Sequence, residues 1–212
     1  KQHFDIVYRD RRSDADMEIE GLCLPMAGKH NLQNALAAIA AGLELGANAD
    51  TIAKALADFS GVKRRFSAAG ELGKNIRIFD DYAHHPVEIE AVLESARAVS
   101  KGRVVAVMQP HRFTRLRDLF NDFCACMNGA DAVLLLPVYE AGESAIDGIN
   151  SDALAEGLRS HGHRHVVSLA ANDDLPDALV DVLQADDVVI CMGAGSISQL
   201  ANELPQKLEG RL

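Results

Sequence analysis

The sequence predicts an α/β protein whose larger, C-terminal part is a Rossmann-like, doubly wound, mostly parallel sheet. Three observations lead there. From residue 76 onward, five apolar strand-like runs alternate with five helix-like segments. Those runs are largely apolar throughout, as expected of strands covered by helices on both faces. Before residue 67 the order differs, with strands first and helices after, which marks a separate part.

Residues 3–9 and 17–24 carry strand patterns around a polar turn, Arg9 to Asp16, and read as a hairpin or sheet edge. Gly28-Lys29-His30-Asn31-Leu32-Gln33-Asn34 opens a helix that the alanine-rich run Ala35 to Leu45 continues and Gly46 stops. A second helix covers Ala49 to Phe59 and ends before Gly61. Gly61-Val62-Lys63-Arg64-Arg65-Phe66 and a polar stretch, Ser67 to Asn75, follow. The domain boundary is placed here, dividing residues 1–66 from 67–212. The alternation then runs strand 76–80, helix 86–99, strand 104–109, helix 114–127, strand 132–137, helix 151–160, strand 165–169, helix 175–183, strand 187–192, helix 196–204. Pro86 suits a first helical turn, and Pro205 is expected to end or kink the last helix.

With 212 residues, 48% hydrophobic and 25% charged, the composition is that of a soluble globular protein. A net charge of −10 argues against a nucleic-acid partner. No apolar run approaches a membrane span, and the start, Lys1 to Val7, lacks the apolar core of a signal peptide. A cytoplasmic protein without a membrane partner is expected. Cys23, Cys124, Cys126 and Cys191 form no C-x-x-C pair and read as reduced small hydrophobes. The chain opens on Lys1 with a strand already under way, so a piece of a longer protein is expected.

Polar clusters recur at the strand ends, where α/β sheets place their ligands. Asp80-Asp81-Tyr82-Ala83-His84-His85-Pro86 ends the first strand of the larger part. Either Asp could take ribose hydroxyls or a magnesium-bound water. Tyr82 and His84 share a face if the strand continues through them. His84-His85 is a poor metal pair, because helical ligand spacing is three or four. Gln109-Pro110-His111-Arg112-Phe113-Thr114-Arg115 ends the next strand. Arg112 and Arg115, three apart at a helix start, can reach one carboxylate or phosphate. The competing reading is an exposed helix start with Arg–Asp pairs, such as Arg115 or Arg117 with Asp118. Val138 to Glu143 adds acids and a phenol, and Gly193-Ala194-Gly195-Ser196 forms a small anion-binding turn or a site of tight packing. His30, Asn31 and Asn34 fall in one helical turn, the two Asn on one face; capping accounts for one of them and a ligand for the other. Neither a Walker A motif nor a Gly-x-Ser-x-Gly elbow occurs, so any ATP site here is partial.

Taken together, these motifs resemble the C-terminal part of a Mur ligase, in its alanine-adding branch. Gly28-x-His30-Asn31-x-x-Asn34-x-Leu36-Ala37-Ala38 is similar to the signature near the end of the family's central ATPase domain. Gly61 to Phe66 resembles the segment leading into its C-terminal domain; Asp80 to Pro86, Gln109 to Phe120 and Val138 to Gly148 resemble three motifs of that domain. The resemblance implies that residues 1–66 are the remainder of the central domain and 67–212 the amino-acid-binding domain. It implies an ATP- and magnesium-dependent ligase of peptidoglycan precursor synthesis, joining L-alanine to UDP-N-acetylmuramate through an acyl phosphate. His30, Asn31 and Asn34 would lie by the adenine, Arg65 by the ATP phosphates and Asp81 by the ribose. Tyr82, His84, His111, Arg112 and Arg115 would receive L-alanine. The family's UDP-binding domain, P-loop lysine and magnesium ligands have no counterpart in the sequence, so the chain alone is expected to be inactive. The alternatives are the peptide-recycling ligase of the same family and a non-catalytic anion-binding module.

Overall fold

The computed structural model describes residues 1–11, 13–26 and 28–212. They divide into two compact units, Lys1–Val62 and Lys63–Leu212. In the first, β1 (Gln2–Asp10) pairs antiparallel with β2 (Ala15–Leu24), with a bulge between Phe4 and Ile6. Helices α1 (Lys29–Glu44) and α2 (Ala49–Ala57) follow. Ile6, Ile19, Leu22, Ile39 and Ile52 form the core. The Asn48 side chain caps α2 by accepting from Thr51 N–H at 2.8 Å. Helix α1 starts instead from Gly28, at φ 97°, without a side-chain cap, so neither Asn31 nor Asn34 is its cap.

The second unit runs β3 (Ser67–Leu72), β4 (Ile76–Asp81), α3 (Pro86–Val99), β5 (Val104–Met108), α4 (Phe113–Asp118), α5 (Phe120–Cys126), β6 (Ala132–Leu135), α6 (Ser151–Ser160), β7 (Val166–Ser168), α7 (Leu175–Val182), β8 (Val188–Met192) and α8 (Ile197–Leu208). Its strands are ordered β3-β4-β8-β5-β6-β7; β4 to β7 and β8 are parallel, and β3 joins antiparallel at one edge. Alternate strand residues face opposite layers, as the two-residue period requires. Val104, Ala106 and Met108 pack with α3, α5 and α6; Val105 and Val107 pack with α7 and α8. Each valine or methionine side chain buried this way contributes about 1.5–3 kcal/mol.

Three local features differ from the sequence reading. Ser67–Leu72, read as a polar stretch, is a strand: β4 supplies its ladder, and Gly70 lies so close to Pro205 that a Cβ there would collide with the proline ring. Here tertiary packing overrides a composition poor in strand formers. The expected helix 114–127 is two helices broken at Leu119 (φ −116°, ψ 22°), and both pieces still feed one core through Leu116 and Phe123. Helix α8 runs through Pro205 to Leu208 instead of ending near it, its proline packed on Gly70. Among the described residues no helix is long and apolar enough to cross a membrane.

Candidate functional site

The carboxyl ends of β4, β5 and β6 bring one row of rings together. Strand β4 ends at Asp81, yet Tyr82 and His84 still meet edge-on, with centroids 5.0 Å apart. His84 lies 5.8 Å from His111, which stacks on Tyr139 at 5.5 Å and 9°. The loops carrying the last two rings are zipped together: Arg112 N–H donates to Tyr139 O at 2.9 Å and Tyr139 N–H to Pro110 O at 2.8 Å. The Glu88 carboxylate fixes the entry to α3 by accepting from the backbone N–H of His84 at 3.1 Å and His85 at 3.3 Å. His85 itself is exposed.

Arginines and carboxylates both flank this row. Half-buried Arg115 donates to His111 Nδ1 at 3.2 Å and to His111 O at 3.4 Å, and no carboxylate among the described residues lies within ion-pair distance of it. A guanidinium only donates, so Nδ1 is the acceptor and a neutral His111 carries its proton on Nε2. Burial, reinforced by the charges of Arg115, His84 and Arg112, holds the His111 pKa below the usual imidazole value, with Glu143 pulling the other way. Arg112 is engaged differently. It occupies φ 72° just before α4, and its Nη1 lies 3.5 Å from Glu143 Oε1. Glu143 also accepts from Thr114 N–H at 3.0 Å and Thr114 Oγ1 at 2.7 Å, bonds that lower its pKa and seat the start of α4. Arg117 is exposed and pairs with Asp118 at 2.7 Å.

The remaining candidates are placed as follows. Asp81 is 2% exposed; its carboxylate accepts from Phe66 N–H and Ala83 N–H, each at 2.7 Å. It thereby ties the Lys63-to-Phe66 segment to the end of β4. Arg65 is exposed, with Cζ 5.9 Å from the Tyr82 ring centroid. His30, Asn31 and Asn34 belong to the first unit. Asn31 is buried, whereas Asn34 is exposed, because three residues along a helix leave a 60° offset that here straddles the core edge. The Gly193–Ser196 turn is closely packed: Gln109 Oε1 accepts from Ile197 N–H at 3.1 Å, its Nε2 donates to Ser196 Oγ at 3.1 Å, and a Cβ on Gly195 would fall 2.5 Å from the Tyr139 ring. Among the described residues no group of three His, Cys, Asp or Glu is arranged to hold a metal ion.

The profile of the Mur ligase, glutamate ligase domain matches residues 64–195. The chain belongs to the Mur ligase family. Among curated relatives of this Mur ligase chain, the UDP-N-acetylmuramate–L-alanine ligase of Methylobacterium nodulans is 52% identical over 208 residues, covering 98% of this chain and 44% of its own length. The ligase of the same name from Rhizobium etli is 51% identical over 207 residues, with the same coverage. The chain thus spans less than half the length of these relatives. Among solved structures, the UDP-N-acetylmuramate–alanine ligase of Thermotoga maritima superposes with a TM-score of 0.67 at 30% identity, over 91% of this chain and 40% of that one. A murein peptide ligase from Psychrobacter arcticus shares the fold at a TM-score of 0.64 and 23% identity, over 92% of this chain and 40% of that one.

Proposed function

We propose that this chain is the C-terminal, amino-acid-receiving part of a cytoplasmic ATP-dependent ligase that joins L-alanine to UDP-N-acetylmuramate in peptidoglycan precursor synthesis. The observation that carries this reading is Arg115: a half-buried guanidinium beside a ring-lined strand edge, with no carboxylate of its own among the described residues. An amino acid's carboxylate supplies the missing partner, and a planar guanidinium suits it in two-point contact. Arg112, steadied by Glu143, stands next to it. The 52% identity to an alanine ligase along 98% of this chain supports alanine as the amino acid.

ATP, with magnesium, would supply the phosphoryl group that turns the muramyl carboxylate into an acyl phosphate. In this chain Arg65 would face the phosphates, and His30, Asn31 and Asn34 the adenine. Asp81 would act near the ribose, chiefly through the Arg65–Phe66 backbone that it holds. No magnesium ligand set occurs among the described residues, so no metal role is assigned to them. Tyr82, His84 and His111 wall the amino-acid site and hold the amine in one orientation, which is worth several powers of ten in rate when the reacting atoms are kept near contact. His111 contributes its Nε2–H as a donor. Its one lone pair is engaged by Arg115, so the proton leaving the amine passes to water or phosphate rather than to His111.

The test is a chimera in which this chain replaces the corresponding segment of the Methylobacterium nodulans ligase. ADP release should depend on both UDP-N-acetylmuramate and L-alanine. A folded chimera that prefers a tripeptide to alanine, or that turns over neither while the parent enzyme is active, would overturn the proposal.

A further inference from the structure

Arg64 has no part in the chemistry above, yet its backbone and its side chain are both held in place. Its backbone sits at φ 60°, a left-handed conformation that L side chains avoid, and Phe66 repeats this at 50°. The surroundings enforce it: Phe66 N–H donates to buried Asp81 at 2.7 Å, and Tyr82 N–H donates to Arg64 O at 2.8 Å. The side chain then reaches across the sheet edge. Arg64 Nη2 donates to Gly193 O, after β8, at 2.7 Å, and Cζ lies 4.6 Å from the Tyr82 ring centroid. No carboxylate pairs with Arg64 within ion-pair distance among the described residues, and its buried Nε has no partner. A surface arginine would keep its nitrogens in water or beside an acid. This one leaves Nε buried without a partner and turns Nη2 to a carbonyl and its plane to a ring face, while the nearby Asp80 feels its charge without pairing with it.

We propose that Arg64 is a positioning residue: its guanidinium clasps Tyr82 and ties it to the turn after β8, so that the phenol stands pre-set at the head of the ring row. The consequence for catalysis rests on the reading of that row as the amino-acid site. Tyr82 is 36% exposed, and its ring would otherwise be free to turn away from His84. A lysine could reach the ring face or the carbonyl but could not cover both, since its ammonium is a point charge rather than a planar fork. Arg64 thus pays for no binding of its own; it removes freedom from a neighbour that must meet the ligand.

Aromatic carbon–proton NMR spectra of this chain test the clasp without any turnover, since only three tyrosines are present. Arg64→Ala should shift the Tyr82 ring signals, and those of His84 beside it, while Tyr139 and buried His163 stay in place. Arg64→Lys should move Tyr82 part of the way, and Arg117→Ala not at all. Gly193→Ala tests the same idea from the other end. Gly193 lies at φ 155°, and a Cβ there would come 2.9 Å from Gln109 O, so the acceptor of Arg64 is displaced while Arg64 remains. It should reproduce the Tyr82 shift. Unmoved Tyr82 signals in both Arg64→Ala and Gly193→Ala, or a His163 shift as large as that of Tyr82, would overturn the clasp. In the chimera, Arg64→Ala should raise the KM for alanine about tenfold with little change in the KM for ATP. Unchanged alanine kinetics alongside a moved Tyr82 ring would refute the catalytic half. If the unsubstituted chimera ligates nothing, the functional reading fails, and the spectra still decide the clasp.

Discussion

Replacing Asp81 by asparagine removes one charge and exchanges one acceptor for a donor, leaving shape almost unchanged. The native carboxylate is 2% exposed and accepts from Phe66 N–H and Ala83 N–H, both at 2.7 Å. Bonds to a charged group contribute about 1.5–3 kcal/mol each. Asparagine can keep one of them, and its amide NH2 would face the other backbone N–H. The expected loss is therefore about 1.5–3 kcal/mol for Asp81→Asn and about 3–6 kcal/mol for Asp81→Ala. With a urea slope of about 2 kcal/mol/M, the asparagine variant should unfold about 1 M earlier than the parent. Unfolding should be followed through the Tyr139 ring signals, which report the second unit alone. Amide exchange at residues 64–66 should also quicken in Asp81→Asn before the sheet opens, because Phe66 N–H loses its anchor. Equal losses in the two variants, or losses below about 0.5 kcal/mol in both, would show that these bonds do not hold the segment.

Three further outcomes are expected. In the chimera, Arg115→Ala should raise the KM for alanine roughly 10- to 150-fold, the equivalent of about 1.5–3 kcal/mol, with Arg115→Lys only partly rescuing it and Arg117→Ala matching the parent; steady-state kinetics with varied alanine check this. This chain alone should show no ATP hydrolysis and no micromolar ATP binding by calorimetry, since adenine contacts without a phosphate cradle leave little affinity after the cost of association. Burial holds the His163 pKa below the usual imidazole value, so its neutral form is the one that folds; the associated stability is fully present above about pH 6.5 and is lost as pH falls from there through the folded-state pKa. His111 shifts in the same direction, so His163→Leu should flatten, but not abolish, the fall in urea midpoint between about pH 7 and 5.

The parallel strands were legible because helices cover both their faces: every residue of Val104–Met108 is buried, and the sequence there is apolar without a break. Pro86 likewise marked the start of α3. Ser67–Leu72 was not legible, since nothing in Ser-Ala-Ala-Gly-Glu-Leu favours a strand until β4 and Pro205 lie against it. At the candidate site, Tyr82, His84, His111, Arg112 and Arg115 stand at one edge, as strand-end residues can. Tyr139 and Glu143 offered the same signal, a phenol and an acid after β6, but only the fold stacks one on His111 and sets the other against Arg112. Arg64 could not be told from Arg65 by sequence. The difference lies in a backbone dihedral and in a carbonyl 129 positions away.

The position of β8 has a consequence for synthesis. This strand, which follows β7 in the chain, lies between the first two parallel ones: Val188–Met192 pairs on one side with residues 77–81 and on the other with Val104–Met108. A nascent chain that has emerged only through β7 has no neighbour for the inner edge of β4 or of β5, and those two edges expose open ladders. Tyr82 and His84 then belong to one piece, His111 and Tyr139 to another, and no ring row exists. Closure waits for a segment more than a hundred residues from β4, an ordering that favours slow folding and a window in which edge strands can pair with the wrong partner. Ribosome-bound chains of increasing length should therefore stay protease-sensitive in the second unit until β8 has cleared the exit tunnel.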